Sequence, residues 1–128
     1  MRATDDHQPA ALDHVQIAVP PGGQAQARAF YGRLLGLAEI PKPETMRASG
    51  GVWFALAGTE LHIGIEEPFA PAGKAHPALS VAPAVLDELA ERLHAAGSPV
   101  KWDERLPGAR RFYTEDPFGN RLELVSRG

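Results

Sequence analysis

Leu12-Asp13-His14-Val15-Gln16-Ile17-Ala18-Val19 puts Val15, Ile17 and Val19 on one side of an extended chain and Leu12, His14, Gln16 and Ala18 on the other, before Pro20-Pro21 ends the run. A period of two is the mark of a β-strand. The histidine therefore shares its face with small and polar residues rather than with Val, Ile or Leu. The arrangement returns later in the chain. His76 follows His14 by 62 residues and opens the run His76 to Val81, where its face-mates Ala78 and Ser80 are again small. Glu123 follows His62 by 61 residues, and Gly97 follows Gly36 by 61, each glycine closing an amphipathic run. The chain reads as one unit written twice.

Working outward, Ala27, Phe30, Tyr31, Leu34 and Leu35 fall on one face of a helix that Gly36 stops. An extended piece around 37–40 is cut off by Pro41 and Pro43. Runs Val52 to Leu56 and Leu61 to Ile65 follow, joined by Ala57-Gly58-Thr59 as a hairpin. The second copy repeats the order. Strand His76 to Val81 precedes a helix opened by Pro83, with the apolar stripe Leu86, Leu89, Ala90 and Leu93 and its stop at Gly97. Extended runs Val100 to Trp102, Arg111 to Thr114 and Arg121 to Val125 complete it, the last two joined by the turn 115–120. The expectation is an α+β fold of two tandem βαβββ modules, 12–67 and 75–126, whose curved mixed sheets form a cup-shaped cavity. A flexible arm over residues 1–11 precedes a single domain spanning 12–128.

Composition narrows the function. With 128 residues, 44% hydrophobic and 23% charged, the chain suits one packed globular domain. Net charge is −3 and the 13 basic residues are scattered except for Arg110-Arg111, so there is no footprint for a phosphate backbone. Nucleic acid is not an expected partner. The absence of cysteine excludes disulfides, thiolate zinc sites and a cysteine nucleophile. Asp5 and Asp6 stand where a signal peptide would be apolar, and no apolar run approaches the roughly 20 residues of a membrane span. No membrane association and a cytoplasmic location are expected.

Imidazole and carboxylate are ligands for a divalent metal. His14, His62, His76 and Glu123 each lie on a strand face whose other residues are small or polar: Gln16 and Ala18, Glu60 and Gly64, Ala78 and Ser80, Arg121. The bulky residues of these strands occupy the opposite face, which is expected to pack on the helices. The four candidate ligands can then converge in the cavity. His7 and His94 lack such partners and read as solvent-exposed. Arg110, Arg111 and Arg121 either bind an anionic substrate or pair with surface acids; because neighbours on a strand point opposite ways, at least one of the first two belongs to the surface. Trp53, Phe54, Phe112 and Tyr113 occupy matching strands and read first as core. The candidate substrate contacts are Gln16, Trp53, Arg111, Tyr113 and Arg121.

Leu12 to Val19, the helix end Ala29-Phe30-Tyr31-Gly32-Arg33-Leu34-Leu35-Gly36-Leu37, His76 to Val81 and the segment Asp116-Pro117-Phe118-Gly119-Asn120-Arg121-Leu122-Glu123-Leu124-Val125 together resemble the vicinal oxygen chelate superfamily. This group holds glyoxalase I, bleomycin-resistance proteins, fosfomycin-resistance enzymes and extradiol dioxygenases. The resemblance covers about Leu12 to Ser126. It implies that metal ligands come from the first strand of each module and from the last strand of one or both, here His14, His76 and Glu123. Where glyoxalase I has Glu and the epimerases Gln, this chain has His62, which leaves three roles open: fourth ligand, general base or bystander. The resemblance also implies a homodimer, often with the metal cup shared between chains.

The function so implied is a glyoxalase-like metalloenzyme acting on a small oxygenated substrate by isomerase, lyase or transferase chemistry. In it a divalent ion (Zn, Ni, Co, Mn or Fe(II)) stabilises an enediolate or oxyanion while Glu123 or His62 serves catalysis. The alternatives are an Fe(II) dioxygenase, a metal-free sequestering protein of the bleomycin-resistance type, and a plain dimeric scaffold.

Overall fold

The computed structural model describes residues 7–128. The first six residues of the expected arm lie outside the described residues, and 7–11 form no strand or helix. Strand β1 (His14–Val19) leads into helix α1 (Gln24–Ala27), which continues without a break as a π-helix over Arg28–Leu34. Strand β2 (Ala38–Ile40), a 3-10 helix (Glu44–Ser49), and strands β3 (Val52–Leu56) and β4 (Thr59–Ile65) complete the first unit. The second unit is β5 (Ala78–Ser80), α2 (Pro83–Ala95), β6 (Lys101–Asp103), β7 (Arg110–Glu115) and β8 (Arg121–Ser126).

Two open four-stranded mixed sheets result, ordered β1-β4-β3-β2 and β5-β8-β7-β6. The first strand of each unit runs parallel to the last, and the remaining pairs are antiparallel. A parallel pair requires a crossover, and the helix of each unit supplies it. Two tandem βαβββ modules were expected, and two are present. The hairpin between β3 and β4 is tighter than the sequence suggested, because Thr59 already pairs with Leu56.

Each sheet buries its bulky face under a helix. Val52, Phe54, Leu61, Ile63, Phe112, Leu122 and Leu124 are essentially inaccessible and meet Tyr31, Leu86 and Leu93 from the helices. The first helix departs from the expected regular winding. Leu35 N–H bonds the Phe30 carbonyl and Leu37 N–H the Tyr31 carbonyl, so the turns are widened. Phe30 and Tyr31 are nonetheless both buried, and Gly36 ends the helix at φ 82°, as Gly97 ends α2 at φ 86°.

One buried network joins the modules. The Tyr31 hydroxyl donates to Asp116 Oδ2 (2.6 Å), and Asn120 Nδ2 donates to both that oxygen and the Ala18 carbonyl (2.8 Å each). Asp116 Oδ1 also accepts from the backbone N–H groups of Phe118 and Asn120. Among the described residues, no helix is long and apolar enough to cross a membrane.

Candidate functional site

On the first sheet, register places His14 beside Glu60 and Gln16 beside His62, with Trp53 across from His62 on β3. The side chains of this face form a stack. The Trp53 and His62 rings lie 3.8 Å apart at an interplanar angle of 1°, and His14 covers the same imidazole at 4.3 Å and 20°. His62 is thereby buried. Its Nε2 contacts Glu60 Oε1 at 2.9 Å. His14 contacts Asp13 Oδ1 through Nδ1, also at 2.9 Å.

The second sheet carries a charged cluster. Parallel pairing aligns Ala78 with Glu123, and His76, just ahead of β5, reaches Glu123 Oε1 with Nε2 at 3.1 Å. Arg111 donates through Nη1 to Glu123 Oε2 (3.2 Å) and through Nη2 to Asp103 Oδ2 (2.6 Å); its Nε is buried without a partner. Asp103 is held well below the usual carboxylate range, first by Arg105 and then by Arg111. Tyr113 packs its ring edge to face with His76 at 5.4 Å, while the guanidinium groups of Arg111 and Arg121 lie 5.4 and 5.8 Å from its centroid.

Proton counting at His76 shows what this half can hold. Nδ1 lies 2.9 Å from the Lys74 carbonyl oxygen and Nε2 3.1 Å from Glu123 Oε1, and both oxygens only accept. A neutral imidazole has one hydrogen and satisfies one of them. The other contact is completed by a second proton or, at Nε2, by a metal cation. Two ligand atoms about 2.1 Å from one ion stand roughly 3.0–3.4 Å apart at the usual bond angles, and the observed 3.1 Å falls in that range. The donor chemistry of the pair fits a divalent cation.

The four candidate ligands come together two by two, His14 with His62 and His76 with Glu123. Among the described residues, no three His, Asp or Glu side chains of one chain gather so as to hold a metal ion. The expected convergence of all four does not occur within a single chain, because β1 and β5 are edge strands of two separate sheets. Between them lies a cavity of about 690 Å³, lined by Val15 to Ala18 on one side and 75–79 on the other, with Glu60, Glu66, His76, Asn120 and Arg121 among its polar points.

The other sequence-singled residues fall as follows. Gln16 and Arg121 are exposed and line the cavity. Phe54 and Phe112 are core, but Trp53 and Tyr113, expected there too, are half-buried on the ligand-bearing faces. Period two separates each adjacent pair in this way. Arg110 turns outward to the exposed Asp87, and Arg111 inward. His7 and His94 are exposed. Two participants went unnoticed as such: Glu60, which lies two residues before His62 on its own face, and Asp103, whose approach to Arg111 depends on a register set across a long β6–β7 connection.

Two open sheets of equal topology, related by duplication and each carrying a pair of polar ligand-type residues at its first and last strands, define the vicinal oxygen chelate fold. The sequence profile of the Glyoxalase/Bleomycin resistance protein/Dioxygenase superfamily matches residues 11–124, and the chain belongs to that superfamily. It is similar along the whole of both chains to a glyoxalase family protein from Bacillus anthracis, at 44% identity and a TM-score of 0.87. Its fold also matches a Glu-to-Gln mutant of fosfomycin resistance protein FosX from Listeria monocytogenes complexed with Mn(II) and 1S,2S-dihydroxypropylphosphonic acid (23% identity, 94% of this chain and 95% of that chain, TM-score 0.77). Lactoylglutathione lyase from Agrobacterium tumefaciens is a further likeness (23% identity, 93% and 95% covered, TM-score 0.72). Comparison with curated proteins returned no match.

Proposed function

We propose that the protein is a glyoxalase-like, divalent-metal-dependent enzyme that acts on a small oxygenated substrate by isomerase, lyase or transferase chemistry. The observation that carries this reading is the His76–Glu123 contact, an imidazole nitrogen and a carboxylate oxygen held 3.1 Å apart, the spacing that two ligands of one ion take. In a homodimer the His76–Glu123 pair of one protomer would meet the His14–His62 pair of its partner, completing three imidazoles and one carboxylate. The FosX likeness, with Mn(II) in that protein, supports a divalent metal here. The ion, when bound, would polarise the oxygens of the substrate.

The chain's own residues would do the rest. Arg121, the arginine on the ligand-bearing face of the second sheet with no carboxylate partner among the described residues, would take an anionic oxygen, and Gln16 a neutral one. Arg111 would hold Glu123 in place through Oε2, with Tyr113 closing one side against water. Trp53 would wall the other half by its stack on His62, and His62 or Glu123 would move the proton.

Elemental analysis of anaerobically purified protein, stripped and reloaded with Fe, Mn, Co, Ni and Zn in turn, tests the reading. Near-stoichiometric metal that is lost in Glu123→Ala supports it, and absence of tight binding for every ion overturns it. A second reading, a metal-free protein that sequesters a small molecule, is favoured by the 690 Å³ cavity, whose lining is largely apolar and omits His14, His62 and Glu123. Under it, His14→Ala leaves ligand affinity intact.

A further inference from the structure

The three candidate imidazole ligands are not held alike. His14 and His76, related by the duplication, both engage Nδ1, with Asp13 Oδ1 and the Lys74 carbonyl respectively. Each therefore presents Nε2. His62 is held the other way round: its Nε2 faces Glu60 Oε1 at 2.9 Å, and among the described residues nothing hydrogen-bonds its Nδ1. Both faces of the ring are covered, by Trp53 at 3.8 Å and His14 at 4.3 Å, with planes 1° and 20° from parallel. Stacking on both faces fixes the plane of the ring but not which nitrogen carries its hydrogen. The contact with Glu60 is what decides that.

The geometry points to Glu60 as the positioning residue of the site: its carboxylate accepts the Nε2–H of His62, fixes that tautomer, and makes Nδ1 the atom that His62 presents to the ligand set. A carboxylate is an acceptor only, so the neutral imidazole beside it must place its hydrogen on the facing nitrogen. Carboxylates behind ligating histidines orient the ring and raise its basicity, and their removal commonly weakens metal affinity 10–100-fold. Glu60 is suited to that place. It sits two residues before His62 on the same strand, its side chain is about two-fifths exposed while that of His62 is 7% exposed, and it lies beside His14 in register. The part played by Nδ1 as ligand or proton acceptor rests on the function proposed above, whereas the tautomer and the role of Glu60 in setting it do not.

The test is the ring-nitrogen spectrum of metal-free protein labelled with 15N-histidine, recorded at mildly alkaline pH. Wild type should show His62 as a single tautomer with hydrogen on Nε2, opposite to His14, whose Nδ1 faces Asp13. Glu60→Ala should turn His62 into a mixture of tautomers, and Glu60→Gln, which keeps an amide oxygen as acceptor, should restore most of the preference. Trp53 fluorescence and thermal unfolding should change little in either variant, which separates positioning from a structural role. Zn(II) titration should then show a 10–100-fold weaker affinity in Glu60→Ala than in wild type. Hydrogen on Nδ1 of His62 in wild type, or an unaltered tautomer in Glu60→Ala, overturns the assignment. If wild type takes up no Zn(II) or other ion, the metalloenzyme reading falls, while the tautomer spectrum still decides the role of Glu60.

Discussion

Replacing Asp116 by alanine should loosen the join between the two modules more than any other single polar change. The carboxylate accepts four hydrogen bonds, from Tyr31 Oη, Asn120 Nδ2 and the backbone N–H groups of Phe118 and Asn120, and the residue is 5% exposed. The four donors are not equivalent once it is gone. Phe118 is half-buried, so its N–H can find water, and Asn120 Nδ2 keeps the Ala18 carbonyl. The Tyr31 hydroxyl, in a residue with no exposed surface, and the Asn120 N–H cannot do the same. An unsatisfied buried donor costs about 1–3 kcal/mol, so two give an expected loss of about 2–6 kcal/mol. That is a large part of the roughly 5–15 kcal/mol typical of a domain. Tyr31→Phe removes one of four donors and leaves no buried group unpaired, and should cost about 1.5–2 kcal/mol. Urea unfolding followed by tryptophan fluorescence and far-UV dichroism measures both. In the double variant the Tyr31 hydroxyl is no longer stranded, so the combined loss should fall short of the sum by about 1 kcal/mol or more. A loss below about 1 kcal/mol in Asp116→Ala, or strict additivity, would refute the assignment of these bonds as the inter-module latch.

Tyr31 also predicts an alkaline limit. Burial first, and then the adjacent Asp116 carboxyl, push its phenol far above the ordinary value of 10.0, so its contribution is intact below pH 10 and is lost as pH rises beyond it, when only the unfolded chain ionises. Stability measured against pH should fall by up to about 1.4 kcal/mol per unit above that point, and Tyr31→Phe should remove this component of the slope. Gly51→Ala should destabilise by about 1–3 kcal/mol, since a Cβ there meets the Ile63 backbone carbonyl, which cannot turn aside without breaking the β3–β4 ladder; the loss is read by thermal unfolding, and a neutral result would mean that the strand pair relaxes freely. Arg121→Gln should weaken binding of carboxylate- or phosphonate-bearing ligands and leave that of neutral diols unchanged, as measured by calorimetry at two salt concentrations.

The modules were legible because each strand was marked by its own residues. Val15, Ile17 and Val19 against His14, Gln16 and Ala18 give a period of two without any partner being known, and Gly36 and Gly97 mark helix ends by a backbone conformation that other residues resist. What escaped was set by contacts between distant residues or by local polar bonds. The 3-10 helix at Glu44–Ser49 has no apolar period; it is held by Met46 N–H on the Pro43 carbonyl, by Ser49 Oγ on the Met46 carbonyl and by Lys42 on Ser49. The widened turns at Arg28–Leu34 keep the same residues buried as a regular helix would, so the hydrophobic pattern does not distinguish the two. The pairing of the ligand candidates was half legible. Offsets of 61 and 62 tell which residues are equivalent, but equivalence by duplication does not say which halves face one another.

The departures from symmetry between the two halves are where their chemistry divides. The first-strand histidines are treated alike, with Nδ1 engaged and Nε2 presented, but the last strands differ: His62 is enclosed by two rings and one carboxylate, and Glu123 by one guanidinium and one imidazole. The first half is thus built to hold an imidazole ring rigidly. The second is built to hold a carboxylate whose charge is already shared with Arg111, and Arg111 in turn is shared with Asp103. Stacking fixes orientation but supplies no charge, whereas the Arg111 bridge fixes a charge but leaves Oε1 directed at His76. Two copies of the first half would offer nitrogen donors with no carboxylate among the ligands themselves. Two copies of the second would bring two carboxylates and two guanidinium groups together. Only one half of each kind combines preorganised nitrogen donors with a single partly compensated carboxylate, which is the combination that the proposed homodimer would assemble.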